Sequence, residues 1–351
     1  MSLRNDARAV VEISRPGFTD GQGSVRWDSW ESKRLFKSVD VELVTNESSQ
    51  AVWTLFDPDF KVIDTFAPTV PTQLSVIRIW LGYGQDLGEP VFKGLLAQVE
   101  RSDRDTTFTA FDMAYKMKLE KKAGYKNKKD DLAILRELVT RNGLQFEGPE
   151  YPKTLEPHST AIQDEQTDWD WFSERARDAG LVFYVRHDTV FAKYPAKVGT
   201  PVLALRNRKD FTIKPDFEFT FRTPENLDGK PKVVTHRRRG SAGKRVEGES
   251  TTSPGERTDV VLKRDTAKAS KSKLTKRAQA QKDLEREHAF EGHVEITMPA
   301  NGTRPDYRNT IAIENVGKLF SGDYLCDVVN YFYGPGRLGV NLDLYRDIKE
   351  Q

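Results

Sequence analysis

The stretch TDWDWFSERARDAGLVFYV, residues 167–185, changes its repeat halfway along. Thr167 with Asp170 three residues on makes a capping-box-like helix start, with Asp in place of Glu or Gln. Trp169, Phe172, Ala176 and Ala179 then recur at helical spacing, and Gly180 supplies the stop. Leu181 to Val185 is a β-rich run that turns at His187 and Asp188 and returns as Thr189 to Ala192. The stretch therefore predicts a helix feeding a hairpin. Upstream, Asp130 and Asp131 precede a 3.6-residue stripe of Leu132, Leu135, Leu138 and Val139, closed by Asn142 and Gly143. Residues 113–200 thus read as a helix–helix–hairpin unit, a small α/β insert.

Both flanks of this unit read as β. Val10 to Ile13, Val39 to Val44, Val76 to Leu81, Phe92 to Val99 and Thr107 to Phe111 are short runs separated by turn residues such as Pro16, Gly17, Asn46, Asp57 and Pro58. After Pro201, Phe217 to Phe221 alternates, and strands are again predicted at Val294 to Met298, Ile311 to Ile313, Tyr324 to Phe332 and Val340 to Leu344. Evenly spaced short strands with such turns predict a sandwich or barrel. Between the two runs, residues 223–262 lose apolar periodicity and read as a long exposed loop. Residues 263–289, rich in Ala, Lys, Glu and Gln without Pro or Gly, read as a surface helix. The length of 351 residues accommodates two or three domains at roughly 100–200 residues each.

Composition removes several function classes. The single cysteine, Cys326, excludes an intrachain disulfide and cysteine-rich zinc arrangements, and its alternating surroundings predict a buried strand position. No signal peptide and no membrane-spanning run is legible, so synthesis in a cytoplasm is expected. His288 and His293 stand five apart with Gly292 between them, which does not give a metal pair on one helix face. The carboxylate pairs Asp57/Asp59 and Asp168/Asp170 fit a turn and a helix start rather than acid–base catalysis across a cleft. Gly82 and Gly84 follow a strand but lack the third glycine and the helix of a dinucleotide loop. No nucleophile elbow, phosphate loop or zincin motif is found. No catalytic residue, cofactor or metal is predicted, and the chain reads as a non-enzyme.

Charge is the compositional anomaly. The 55 basic and 53 acidic residues give a formal +2, which does not suit a globally basic nucleic-acid binder. From Lys230 to Lys282, however, sixteen basic and five acidic residues make a net +11, leaving −9 for the rest of the chain. The stretch holds no aromatic residue for stacking on bases. Arg237, Arg238, Arg239, Lys271 and Lys276 are its candidates for a partner interface. If DNA passes through the assembly, tight phosphate binding along its path would retard it, so the basic segment is expected to face a protein neighbour or solvent.

Three segments taken together resemble a known family. They are IWLGYG (79–84) followed by EPVFKGLLAQVE (89–100), the stretch at 167–185, and GKLFSGDYLCDV (317–328). Their order and spacing resemble the phage late-control gene D proteins, the baseplate or tail-tip hubs related to the N-terminal part of VgrG spike proteins. The resemblance covers roughly residues 10–350. It implies an α+β, mainly β chain: a first antiparallel β-barrel over 1–112, a small α/β domain over 113–200, a second barrel from 201–225 and 291–351, and a basic loop-plus-helix insertion over 226–290. It further implies a homotrimer joining the sixfold tail tube to a threefold spike. The partners would be a tail-tube protein, a spike or tip protein and neighbouring baseplate proteins. DNA would pass through the channel without specific binding, nothing would insert in a membrane, and the chain would end up in the virion after assembly in the host cytoplasm. Unlike VgrG, the sequence given has no room for a β-helical spike. A tail-associated cell-wall hydrolase, or a nucleic-acid binder using 230–282, are the alternatives.

Overall fold

The computed structural model describes residues 7–14, 24–31, 35–66, 74–126, 128–150, 161–195, 198–206, 216–221, 233–239, 245–249, 260–264, 290–298, 303–334 and 337–346. The first β region contains β1 (Ala7–Ser14), β2 (Ser24–Asp28), β3 (Phe36–Val44), β4 (Gln50–Phe56), a short helix α1 (Lys61–Phe66), β5 (Val76–Tyr83), β6 (Phe92–Arg101) and β7 (Asp105–Asp112). A 3-10 turn (Met113–Lys118) leads to β8 (Lys121–Lys126), α2 (Asp131–Arg141), β9 (Gln145–Glu147), β10 (Ala161–Thr167), α3 (Asp168–Asp178), β11 (Val182–Arg186) and β12 (Thr189–Lys193). The last part comprises β13 (Leu203–Arg206), β14 (Asp216–Phe221), β15 (Val233–Arg239), β16 (Arg245–Glu249), β17 (Val260–Arg264), β18 (Phe290–Thr297), β19 (Thr310–Glu314), β20 (Gly322–Gly334) and β21 (Arg337–Arg346). The chain is mainly β and mostly antiparallel, with a small α/β unit between two β regions.

The two regions share one sheet. Thirteen strands are hydrogen-bonded, eleven of them in the order β14-β18-β21-β20-β3-β4-β7-β6-β5-β1-β2, with β13 and β19 attached through β20. Two separately closed barrels are not what the described residues pair into. The reason lies in β20, which is thirteen residues long. It is long enough to pair with β19, with β21 and, over Val328 to Tyr333, with Val44 to Val39 of β3. Packing follows the pairing. Val39, Val41, Trp53 and Phe108 from the first region and Val329, Tyr331, Val340 and Leu342 from the second lie in one contiguous apolar cluster. Trp53 stacks on Phe108 at 5.0 Å between centroids. Period-2 alternation in each strand places these residues on one side of the sheet.

The α/β unit has its own core, built on Ile134, Leu135, Leu138, Val139, Trp169, Trp171 and Phe172. Asp130 caps α2, its side chain accepting from Ala133 N at 2.7 Å, and Gly143 exits at φ +72°. Thr167 caps α3 by accepting from Asp170 N at 3.1 Å. The hairpin β11–β12 turns at His187, as expected, and β12 additionally pairs in parallel with β9. α3 buries more than its predicted face, since Trp171 and Arg175 are also buried.

Residues 233–264 differ from the loop expected there. β15 pairs antiparallel with β16 and parallel with β17, making a separate three-stranded sheet. Its strands are carried by Val233 and Val234, Val246, and Val260 to Leu262. These β-branched runs are too short and too diluted by charge for periodicity to reveal. The helix expected over 263–289 lies, beyond Arg264, outside the described residues.

Candidate functional site: a polar face crossing both β regions

The side of the large sheet opposite its core forms a continuous polar surface. One row runs straight across it in register, with Glu295 opposite Asn341, Asn341 opposite Asn330, Asn330 opposite Glu42 and Glu42 opposite Gln50. This row passes from the second β region to the first without a break. A neighbouring row carries Glu218, His293 and Asp343, and another carries Asp40, Val52, Thr109 and Gln98. A third pairs Ser38 with Thr54 and Thr54 with Thr107, whose hydroxyls lie 3.0 Å apart.

The charged members are mostly acidic: Asp40, Glu42, Glu100, Glu218, Glu291, Glu295 and Asp343. Two cationic members are already engaged. Arg337 pairs with Glu295, and His293 Nδ1 lies 2.7 Å from Asp343 Oδ1. Desolvation pushes the Asp40 carboxyl above its usual range. An open groove of about 360 Å³ lies between Glu218, Glu291, His293, Asp327 and Asp343. Chemically, such a wall of carboxylates, amides and hydroxyls repels phosphate and stays hydrated. The alternation behind it is legible strand by strand, but the rows need the register, which sequence does not supply.

A second polar cluster fixes the α/β unit to this sheet. Tyr307 Oη sits 2.6 Å from Ser49 Oγ and donates to the Val185 carbonyl at 3.2 Å. Asn46 links the β3–β4 turn to Phe183 through a backbone bond of 2.7 Å and a side-chain bond of 3.2 Å. Arg186 pairs with Asp306 at 3.0 Å, and Lys93 pairs with Asp188. Asp112 closes the junction, accepting from Ser49 N at 2.6 Å, Ser48 Oγ at 3.1 Å and Ala114 N at 3.0 Å. Burial outweighs these donors and pushes its carboxyl up to about 7. The cavity left between these groups is about 100 Å³, a size for a few waters.

The sequence-predicted residues fall elsewhere. Arg237, Arg238 and Arg239 stand on β15, in register with Glu247, Val246 and Arg245 of β16. Arg237 is also in register with Arg264 of β17. Lys271, Lys276 and His288 lie outside the described residues. Cys326 is fully buried on β20, and burial pushes its thiol far up, out of reach of thiolate chemistry. Asp57 is buried and caps the start of α1, accepting from Val62 N at 2.9 Å. Among the described residues, no group of three His, Cys, Asp or Glu is placed to hold a metal, and no helix is long and apolar enough to cross a membrane.

An extended two-region sheet with an α/β unit docked at one end is the fold of phage tail proteins. The tail protein from Neisseria meningitidis MC58 superposes with a TM-score of 0.67 at 12% identity, covering 97% of each chain. The 43 kDa tail protein of prophage MuSo2 from Shewanella oneidensis gives 0.66 at 11%, covering 98% of this chain and 100% of that one. The E. coli c3393 protein is described as a type VI secretion component structurally similar to the T4 bacteriophage tail proteins gp27 and gp5. It gives 0.57 at 7%, covering 90% of this chain and 74% of that one. The family model described as the Alg8 N-terminal domain matches residues 29–211, just over half of the chain, and the chain belongs to that family. A search of the curated proteins gives no match.

Proposed function

We propose that this chain is a structural hub of a phage tail or phage-like injection system, of the late-control gene D kind, and not an enzyme. Three copies form a ring, each contributing two barrel-like regions, residues 1–112 and residues 201–225 with 291–351. Six quasi-equivalent units then meet the sixfold tail tube on one face, while the threefold arrangement suits a spike or tip protein on the other. The observation that carries this reading is the polar row Glu295–Asn341–Asn330–Glu42–Gln50, which makes one wall out of two regions of one chain. In the ring this wall lines the channel, and its acidic character lets DNA pass without specific binding. The basic segment 226–290, with Arg237, Arg238, Arg239, Lys271 and Lys276, then faces neighbouring baseplate proteins outside the channel. The chain functions in the virion after assembly in the host cytoplasm.

The test is mass in solution by light scattering, alone and with tail-tube protein, combined with negative-stain imaging. A threefold ring that caps tubes is expected. A chain that stays monomeric and never joins rings or tubes overturns the proposal.

A further inference from the structure

The loop after β4 holds an exposed aromatic ring at evident expense. Phe60 has φ +61°, the left-handed region that a bulky side chain rarely occupies, and its side chain is 53% exposed. The surroundings impose this conformation. Asp57, itself buried, accepts from Val62 N at 2.9 Å and from Thr106 Oγ1 at 3.1 Å, while the Phe60 carbonyl accepts from Asp64 N at 2.8 Å. Arg101 lies under the ring, its guanidinium carbon 4.5 Å from the centroid, and its Nη2 donates to the Asp57 carbonyl at 2.7 Å and the Asp103 carbonyl at 3.1 Å. Among the described residues, its Nε and Nη1 groups are buried without an acceptor. A glycine or asparagine would adopt this backbone without strain, and a small polar side chain would not need a cation as a platform. Folding of the single chain therefore gives no reason for phenylalanine here.

Position completes the argument. Phe60 follows the end of β4 and lies beside the β6–β7 tip at Arg101 to Arg104, whereas the α/β unit docks on the β3–β4 turn at Asn46 to Ser49. The two sites stand at opposite ends of β4, about 20 Å apart along the strand. We propose that Phe60 is the anchor of a protein–protein contact at the end of the molecule away from the α/β unit. It inserts into an apolar pocket on a different protein of the same assembly, and that pocket has carbonyl or carboxylate acceptors at its rim. The acceptor rim is the complement of Arg101, whose Nε and Nη1 come within reach when the ring seats in the pocket. A pinned, desolvatable aromatic over an arginine has the make-up of an interface hot spot. This inference rests on the tail reading above.

The test places the photo-crosslinking residue p-benzoylphenylalanine at position 60, in tail particles isolated from cells that produce them. Ile162, exposed at the α/β unit, serves as the control position. Position 60 is expected to crosslink to one other tail protein, at least tenfold above position 162. In parallel, Phe60→Gly and Phe60→Asn are expected to melt at or above the wild-type temperature as purified chains, yet to enter tails at least tenfold less. A chain absent from tails altogether overturns the tail reading and this inference with it. A chain present in tails overturns this inference alone if position 60 crosslinks to nothing or to a second copy, or if both variants are incorporated like wild type.

Discussion

At the scale of single residues, two buried carboxylates pull the pH dependence of stability in opposite directions. Asp112 has a folded pKa raised from 3.8 to about 7, so between those values the folded chain holds a proton that the unfolded chain has released. Its contribution is fully present below about pH 4 and is lost as pH climbs to about 7, by about 1.4 kcal/mol per pH unit within the window. Asp112→Asn is expected to remove that slope, as melting curves from pH 4 to 8 would record. Asp168 behaves oppositely. It is buried among Arg141, Lys122, Asn142 and Gln163, which hold its carboxyl well below the usual range despite desolvation. Its contribution is present above about pH 4 and disappears as pH falls below that. Asp168→Ala strands Arg141 beside an empty site and should destabilise the α/β unit by about 3 kcal/mol. Faster amide exchange in residues 131–141 and 168–178, with the large sheet unaffected, is the expected signature.

At the scale of elements, two glycines show how closely neighbouring strands approach. Phe332 of β20 is in register with Gly339 of β21, and Phe219 of β14 with Gly292 of β18. In each pair the ring lies over the glycine, where a Cβ would strike it. Gly339→Ala should cost about 1–3 kcal/mol, because the ring must leave its packed position. The urea midpoint should fall while the slope stays constant.

Elements with strong local signals were legible in the sequence. α2 and α3 have caps, an acidic first turn and an apolar stripe, so Asp130, Thr167 and Gly143 mark boundaries that the structure retains. The illegible ones lacked such signals. β8 is KKAGYK, β9 has three residues, and α1 has six. The candidate surface was half legible. Alternation in Val39 to Val44 shows which residues leave the core, but nothing local says that Glu42 stands opposite Asn330. The basic segment was conspicuous in composition, yet its strands depend on pairing that charge counting does not reveal.

For the whole molecule, the decisive property is the sign of charge along the proposed channel. Replacing Glu42 and Asp40 by lysine leaves the sheet core untouched, since both side chains sit on the polar face. Rings and tails should still assemble, while DNA delivery falls by about tenfold or more through retention of phosphates on the wall. Particle counts against infectious titre would separate the two effects. Loss of assembly itself would place these residues in a subunit contact instead.

The long β20 strand also sets a timetable for synthesis. Residues 39–44 of β3 find their partners only in residues 328–333, about 290 positions later, so that edge stays bare until almost the whole sequence has left the ribosome. Contacts this distant fold slowly, and a nascent chain with a bare apolar edge is prone to stick to its neighbours. Production of this protein should therefore be limited by the wait for its last strands. A chain cut before residue 322 should be made in normal amounts and recovered mostly as aggregate.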